Sequence, residues 1–114
     1  MTNPRNPSID EAAKRTDERQ RVREELEGRL ARGGVGLNGS ESNEQLVDLS
    51  NALEAFDLAR ARAGGDSMVN TPESSQPDDR RLVLPLRRDD ESVERYLVRL
   101  RGATEMILAT VRRV

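Results

Sequence analysis

Residues 93–114 read VERYLVRLRGATEMILATVRRV, and the spacing of their apolar positions decides what kind of fold the chain can adopt. Val93, Leu97, Leu100, Thr104, Ile107, Val111 and Val114 are separated by alternating steps of four and three. That 3.5-residue repeat is a helical seam, and it asks for facing helices along its length. Tyr96, Ala103 and Leu108 widen the stripe on one flank. Asp89, Asp90, Glu91 and Glu94 crowd the start, and Arg112 and Arg113 close the end, the order that the helix dipole favours. The pattern predicts a helix over about 90–113, beginning at Asp89 or Asp90. Gly102 falls inside it, where it costs about 1 kcal/mol relative to Ala and would admit a close helix crossing.

A second amphipathic stretch precedes it. Leu46, Leu49, Leu53, Phe56, Ala59 and Ala63 recur at steps of three and four on one helical face. Ser42 and Gln45 have the capping-box spacing, Glu44 and Asp48 suit the positive end of the dipole, and Gly64-Gly65 supplies a stop. A helix over about 43–63 follows. Charge suggests how the two helices meet. An antiparallel hairpin would set Glu44 and Asp48 near Arg112 and Arg113, and Arg60 and Arg62 near Asp89 to Glu94. A parallel pair would set like against like. Exposed pairs contribute only about 0.2–1 kcal/mol each, but only the difference between the two orientations matters. The expected fold is therefore mostly α, with an antiparallel helical hairpin at its centre.

The connector, 64–90, holds Pro72, Pro77 and Pro85, which exclude a continuous helix. Met68-Val69 and Leu82 to Leu84 are short β-capable runs within it. The second lies in RRLVLPLRR, Arg80 to Arg88, where Pro85 restricts any strand to a sheet edge. Alternation would send Leu82 and Leu84 to one face and Val83 to the other. Such a segment could cover the hairpin or add to a partner as a strand.

Upstream, residues 1–32 form a polar arm. Ser8 and Glu11 make a capping box, and Glu11–Arg15, Asp17–Arg21 and Glu25–Arg29 are favourable i,i+4 pairs. The apolar stripe is thin: Ile9, Ala12, Ala13, then Val22, Leu26 and Leu30. A helix solvated along much of its length, or formed on a partner, is expected. Residues 33–41 carry four glycines and read as a flexible linker to a hairpin domain at 42–114.

Composition removes several function classes. The 114-residue chain has no Cys and no His, so thiolate and imidazole chemistry, in catalysis or metal binding, is impossible. The acidic pairs Asp78-Asp79 and Asp89-Asp90 sit where turns and caps are expected, and no EF-hand or phosphate-loop spacing occurs. No catalytic, cofactor-binding or metal-ligating residues are assigned, and no enzyme activity is expected. No apolar run is long enough to span a membrane and no secretory h-region opens the chain, so a cytoplasmic protein is expected. Net charge is −2, yet residues 33–79 hold nine acids and two arginines while 80–114 hold nine arginines and five acids.

A two-helix hairpin cannot enclose its own core, since a core of this size supplies about 3–5 kcal/mol. The sequence therefore suggests completion by oligomerisation or by a protein partner. Its expected role is a non-catalytic interaction module: an accessory subunit, adaptor or oligomeric scaffold element. The candidate partner-binding residues are Leu46, Leu49, Leu53, Phe56, Leu82, Val83, Leu84, Val93, Leu97, Leu100, Ile107 and Val111. The alternative is Arg-dependent nucleic-acid binding, with Arg80, Arg81, Arg87 and Arg88 as anion-binding candidates. In size, charge and detachable arm the chain is also similar to small antitoxins, regulatory proteins whose arms fold on a partner.

Overall fold

The computed structural model describes residues 7–64 and 80–112, with side chains from 13 to 64 and from 80 to 111. Among the described residues three helices form, α1 (Pro7–Arg32), α2 (Asn43–Arg62) and α3 (Val93–Arg112), with a 3-10 turn at Arg80–Leu82. The expectation of a mostly α chain is met. No strand occurs among the described residues: Leu82 closes the 3-10 turn, and Val83 and Leu84 lead out of it with no sheet to border. The Met68-Val69 run, the Asp78-Asp79 pair and Val114 lie outside the described residues.

α2 begins and ends where its local chemistry says. Ser42 Oγ accepts the Gln45 N–H, and the Gln45 side chain accepts the Ser42 N–H in return. At the other end Gly64 adopts φ 80°, which the absence of a Cβ permits. α3 starts later than its acidic run suggests. Ser92 is the cap, its Oγ accepting the Arg95 N–H at 3.1 Å. Asp89 and Asp90 occupy the turn before it, and Glu91 folds back to accept the Arg88 N–H.

The end of α1 is a tight, apolar-sealed stop. The Gly34 N–H donates to the Ala31 carbonyl and the Val35 N–H to the Leu30 carbonyl, with Gly34 at φ 92°. This is the Schellman pattern, and the side chains it brings together, Leu30 and Val35, are both buried. A Cβ at Gly33 would lie 2.5 Å from Leu53, so glycine there lets α1 press onto the middle of α2. The stretch read as a flexible linker is thus tied down: Val35 and Glu41 are among the most buried side chains in the chain. The expected N-cap Ser8 falls inside the first turn of α1, ahead of the described side chains.

α2 is the central helix, packed against both α1 and α3. The orientation differs from the expected hairpin. Gln45 in the first turn of α2 donates to Glu94 in the first turn of α3 at 3.0 Å. In an antiparallel pair of 20-residue helices these two turns would stand roughly 30 Å apart. α2 and α3 therefore run in the same sense. The chain returns between them along α3, with Arg81 reaching Thr110 near the end of that helix and residues 83–92 leading back to its start. α1 also runs in the sense of α2, with Arg23 donating to Asn43 and Arg29 3.8 Å from Glu54. The charge argument failed because it weighed the helices alone. The returning segment carries arginines of its own, and they sit beside the acidic helix starts.

The heptad seam is enclosed without a second chain. Val93, Leu97, Leu100, Thr104 and Ile107 are buried, covered by the Leu46–Ala59 face of α2 and by Leu82 and Leu84. Tyr96 and Val35 complete one contiguous core. Gly102 marks no crossing within the chain, since a Cβ there would meet nothing within 4 Å. The chain has no cysteine, so Gln45→Cys with Glu94→Cys gives a clean pair for a short thiol cross-linker. Efficient intramolecular cross-linking is expected at dilution, and its absence would restore the antiparallel hairpin.

Candidate functional site

The most organised polar cluster lies where α2 and α3 begin. Glu41 is 3% exposed. Its carboxylate accepts the N–H groups of Asn38 and Gly39, both at 3.0 Å, and Arg87 Nη1 at 2.8 Å. The Arg87 side chain is largely withdrawn from solvent and donates further to the carbonyls of Gly36 (3.0 Å) and Glu91 (3.2 Å). One guanidinium thus joins both return segments to the cap of α3. Glu91 repeats the device next door, accepting the Arg88 N–H at 3.1 Å and Arg99 Nη1 at 2.6 Å. Arg99 also donates to the Leu86 carbonyl, and the Tyr96 hydroxyl donates to the Pro85 carbonyl at 2.8 Å. The carbonyls of residues 85 and 86 are therefore fixed by α3.

These environments set the protonation states. Burial alone would raise the Glu41 carboxyl, but the Asn38 N–H, the Arg87 guanidinium and the N–H groups of Glu41 and Gly39 outweigh it and hold the group at about 2. Glu91 is lowered in the same way: burial opposes, while the Arg88 N–H and Arg99 prevail. Burial pushes the Tyr96 phenol up to about 12. Carboxylates held ionised and saturated by donors are anchors and poor proton carriers near neutral pH. No group of three or more His, Cys, Asp or Glu able to hold a metal occurs among the described residues. No described helix is long and apolar enough to cross a membrane.

The sequence-derived partner residues divide clearly. Leu46, Leu49, Leu53, Phe56, Leu82, Leu84, Val93, Leu97, Leu100 and Ile107 lie in the chain's own core, while Val83 and Val111 are half-buried. Leu82 and Leu84 are buried and Val83 between them is half-buried, although Leu82 belongs to the 3-10 turn and not to a strand. Of the anion-binding candidates, Arg80, Arg81 and Arg88 are exposed, but the Arg87 side chain is withdrawn and committed to Glu41.

Two surfaces remain open. Between α1 and the start of α2 lies a groove of about 270 Å³ floored by Val22, Leu26 and Val47, with Arg15, Arg19 and Arg23 at its rim. Along the outside of residues 80–88 runs another of about 490 Å³, with Leu86 58% exposed beside Arg80, Arg88 and Arg99. Sequence reading missed Val47 and Leu86, which belong to no periodic stripe. No family model matches the chain, and neither a curated protein nor a solved structure does.

The buried pair yields a pH dependence of definite sign. Glu41 titrates lower folded than unfolded, so its stabilisation is complete above about pH 4.5 and is lost as pH falls toward about 2. Arg87→Met, which strands the carboxylate, should cost about 3 kcal/mol at neutral pH by urea unfolding. Glu41→Gln should flatten the acid limb of the stability profile, although Glu91 still contributes to it. As the only tyrosine, in a chain without tryptophan, Tyr96 reports directly. Its phenolate absorbance should emerge near pH 12 in the folded chain and near about 10 in denaturant.

Proposed function

We propose that the chain is a non-catalytic protein–protein interaction module of the cytoplasm, a small accessory subunit, adaptor or scaffold element, and that α1 is the arm that meets the partner. One observation carries this reading: α1 is 26 residues long, yet it is held by Leu26 and Leu30 near its end while the side chains from Ala13 to Gln20 are all exposed. Helices this poorly packed are marginal in water. Pairs such as Arg23–Glu27 (3.3 Å) and Gln20–Glu24 (3.2 Å) add only a few tenths of a kcal/mol each. A partner that covers the Val22–Val47 groove would supply the missing burial. The exposure of Val22 (52%) and Val47 (43%) fits that role.

The reading relocates the contact from the α3 seam, which the chain fills itself, to the arm. Nucleic-acid binding has less support, because Arg87 is internal and Asp89 and Asp90 are exposed beside Arg88. Light scattering of the purified full chain, with affinity capture from the native host, tests the proposal. A homo-oligomer or a stoichiometric protein partner is expected. Val22→Asp with Val47→Asp should abolish it while leaving thermal stability within about 0.5 kcal/mol, as both positions are exposed. A monomer that retains only nucleic acid, or association indifferent to these changes, would overturn it.

A further inference from the structure

The groove along residues 80–88 has a composition unlike the rest of the surface. Arg80, Arg88 and Arg99 line it with Val83, Pro85 and Leu86, and no acid does among the described residues. Among the described residues, the two buried glutamates nearby are already paired. Glu41 is consumed by Arg87, and Glu91 by Arg99 and the Arg88 N–H. Asp89 and Asp90 are exposed and border the neighbouring depressions, one of which Asp89 shares with Arg88, but neither lines this groove. Arg80 and Arg88 make no ion pair among the described residues, and Leu86 stands exposed between them. Positive charge is therefore displayed with apolar side chains between, on a stretch of backbone that α3 holds at two consecutive carbonyls.

We infer that this groove binds an extended acidic segment of a partner protein, with a large apolar side chain of that segment seated on Leu86 and its carboxylates on Arg80 and Arg88. The inference rests on the reading of the chain as an interaction module and adds a second, chemically different contact to it. Charge complementarity identifies the occupant. Guanidinium groups take carboxylates in bidentate fashion, and the Val83–Pro85–Leu86 floor favours an apolar anchor over a sugar–phosphate backbone. Single-stranded nucleic acid would also need exposed rings for base stacking, and Tyr96, the only aromatic nearby, is fully buried. The pinned carbonyls mean that little ordering of the groove is required on binding, which favours affinity.

The test uses the full chain and a fluorescein-labelled peptide of repeated Asp-Leu-Glu units, read by anisotropy. Control probes replace the acids by Asn and Gln, or Leu by Ala, or substitute a single-stranded oligonucleotide. Saturable binding of the Asp-Leu-Glu peptide is expected, weakening with added salt and tighter than every control. Arg80→Glu with Arg88→Glu should lower affinity by at least about ten-fold, and Leu86→Asp comparably, with the helical circular dichroism unchanged. Absence of peptide binding, indifference to these changes, or tighter binding of the oligonucleotide would each overturn the inference. Val22→Asp with Val47→Asp should leave peptide binding intact. Failure of the arm is thus read separately from failure of the groove.

Discussion

The contact between Glu41 and Arg87 is the constraint on which the arrangement of the helices depends. A buried ion pair stabilises little by itself, because removing both charges from water costs about what their attraction returns. Its effect lies in what the charges require. Once Glu41 is buried it needs donors, and it obtains them from Asn38, Gly39 and Arg87. Once the Arg87 side chain is withdrawn from water it needs acceptors, and the carbonyls of Gly36 and Glu91 serve. The segment that precedes α2 and the segment that precedes α3 are thereby locked together, and both helices must start at the same end.

From that follows the form of the core. Parallel helices joined by long returns leave room between them, and the returns fill it. Val35 comes from the first return and Leu82 and Leu84 from the second. The narrow stripes of α2 and α3 need no wide aromatic residues, because Leu30 of α1 and the two returns add to them in one cluster. Phe56 and Tyr96 are the only rings, and both are fully buried. Arg60 lies over the Phe56 ring at 5.3 Å, sealing the far end of α2 with a side chain whose charge still reaches Asp57.

What could be read from the sequence was whatever is encoded within a few residues. The α2 helix was legible because periodicity, capping box and glycine stop all act locally and agree. Alternation also pointed to the burial of Leu82 and Leu84, although Leu82 belongs to the 3-10 turn and not to a strand. The start of α3 was misplaced by an acidic run that does suit a helix dipole, although Ser92 is the better cap and Glu91 is drawn back by Arg88 and Arg99. The Schellman signature at Leu30-Ala31-Arg32-Gly33-Gly34-Val35 was local too. It was hidden because four closely spaced glycines read as freedom, when one of them serves a left-handed stop and another a close helix contact. Helix orientation was beyond local reading. It depends on Arg87 meeting a carboxylate 46 residues earlier, and nothing in RRLVLPLRR distinguishes that arginine from Arg80 or Arg88.

The division among those arginines also shapes what the surface can do. Of the five acids in residues 80–114, Glu91 is withdrawn into the interior and answered by Arg99 and the Arg88 N–H, while Asp89, Asp90, Glu94 and Glu105 stay exposed. Along residues 80–88 the exposed cations are Arg80, Arg81 and Arg88, with Asp89 and Asp90 exposed just beyond them. Beyond the 3-10 turn the path of that stretch is fixed, because the carbonyls of Pro85 and Leu86 are held by Tyr96 and Arg99 and Leu82 and Leu84 are anchored below. Structural and surface roles are thus complementary within one segment: Leu82, Leu84 and Arg87 face inward and determine its shape, and that shape presents Arg80, Leu86 and Arg88 outward. A substitution at Arg87 would disturb the exterior indirectly, through the path of the chain, whereas one at Arg88 would change its charge alone.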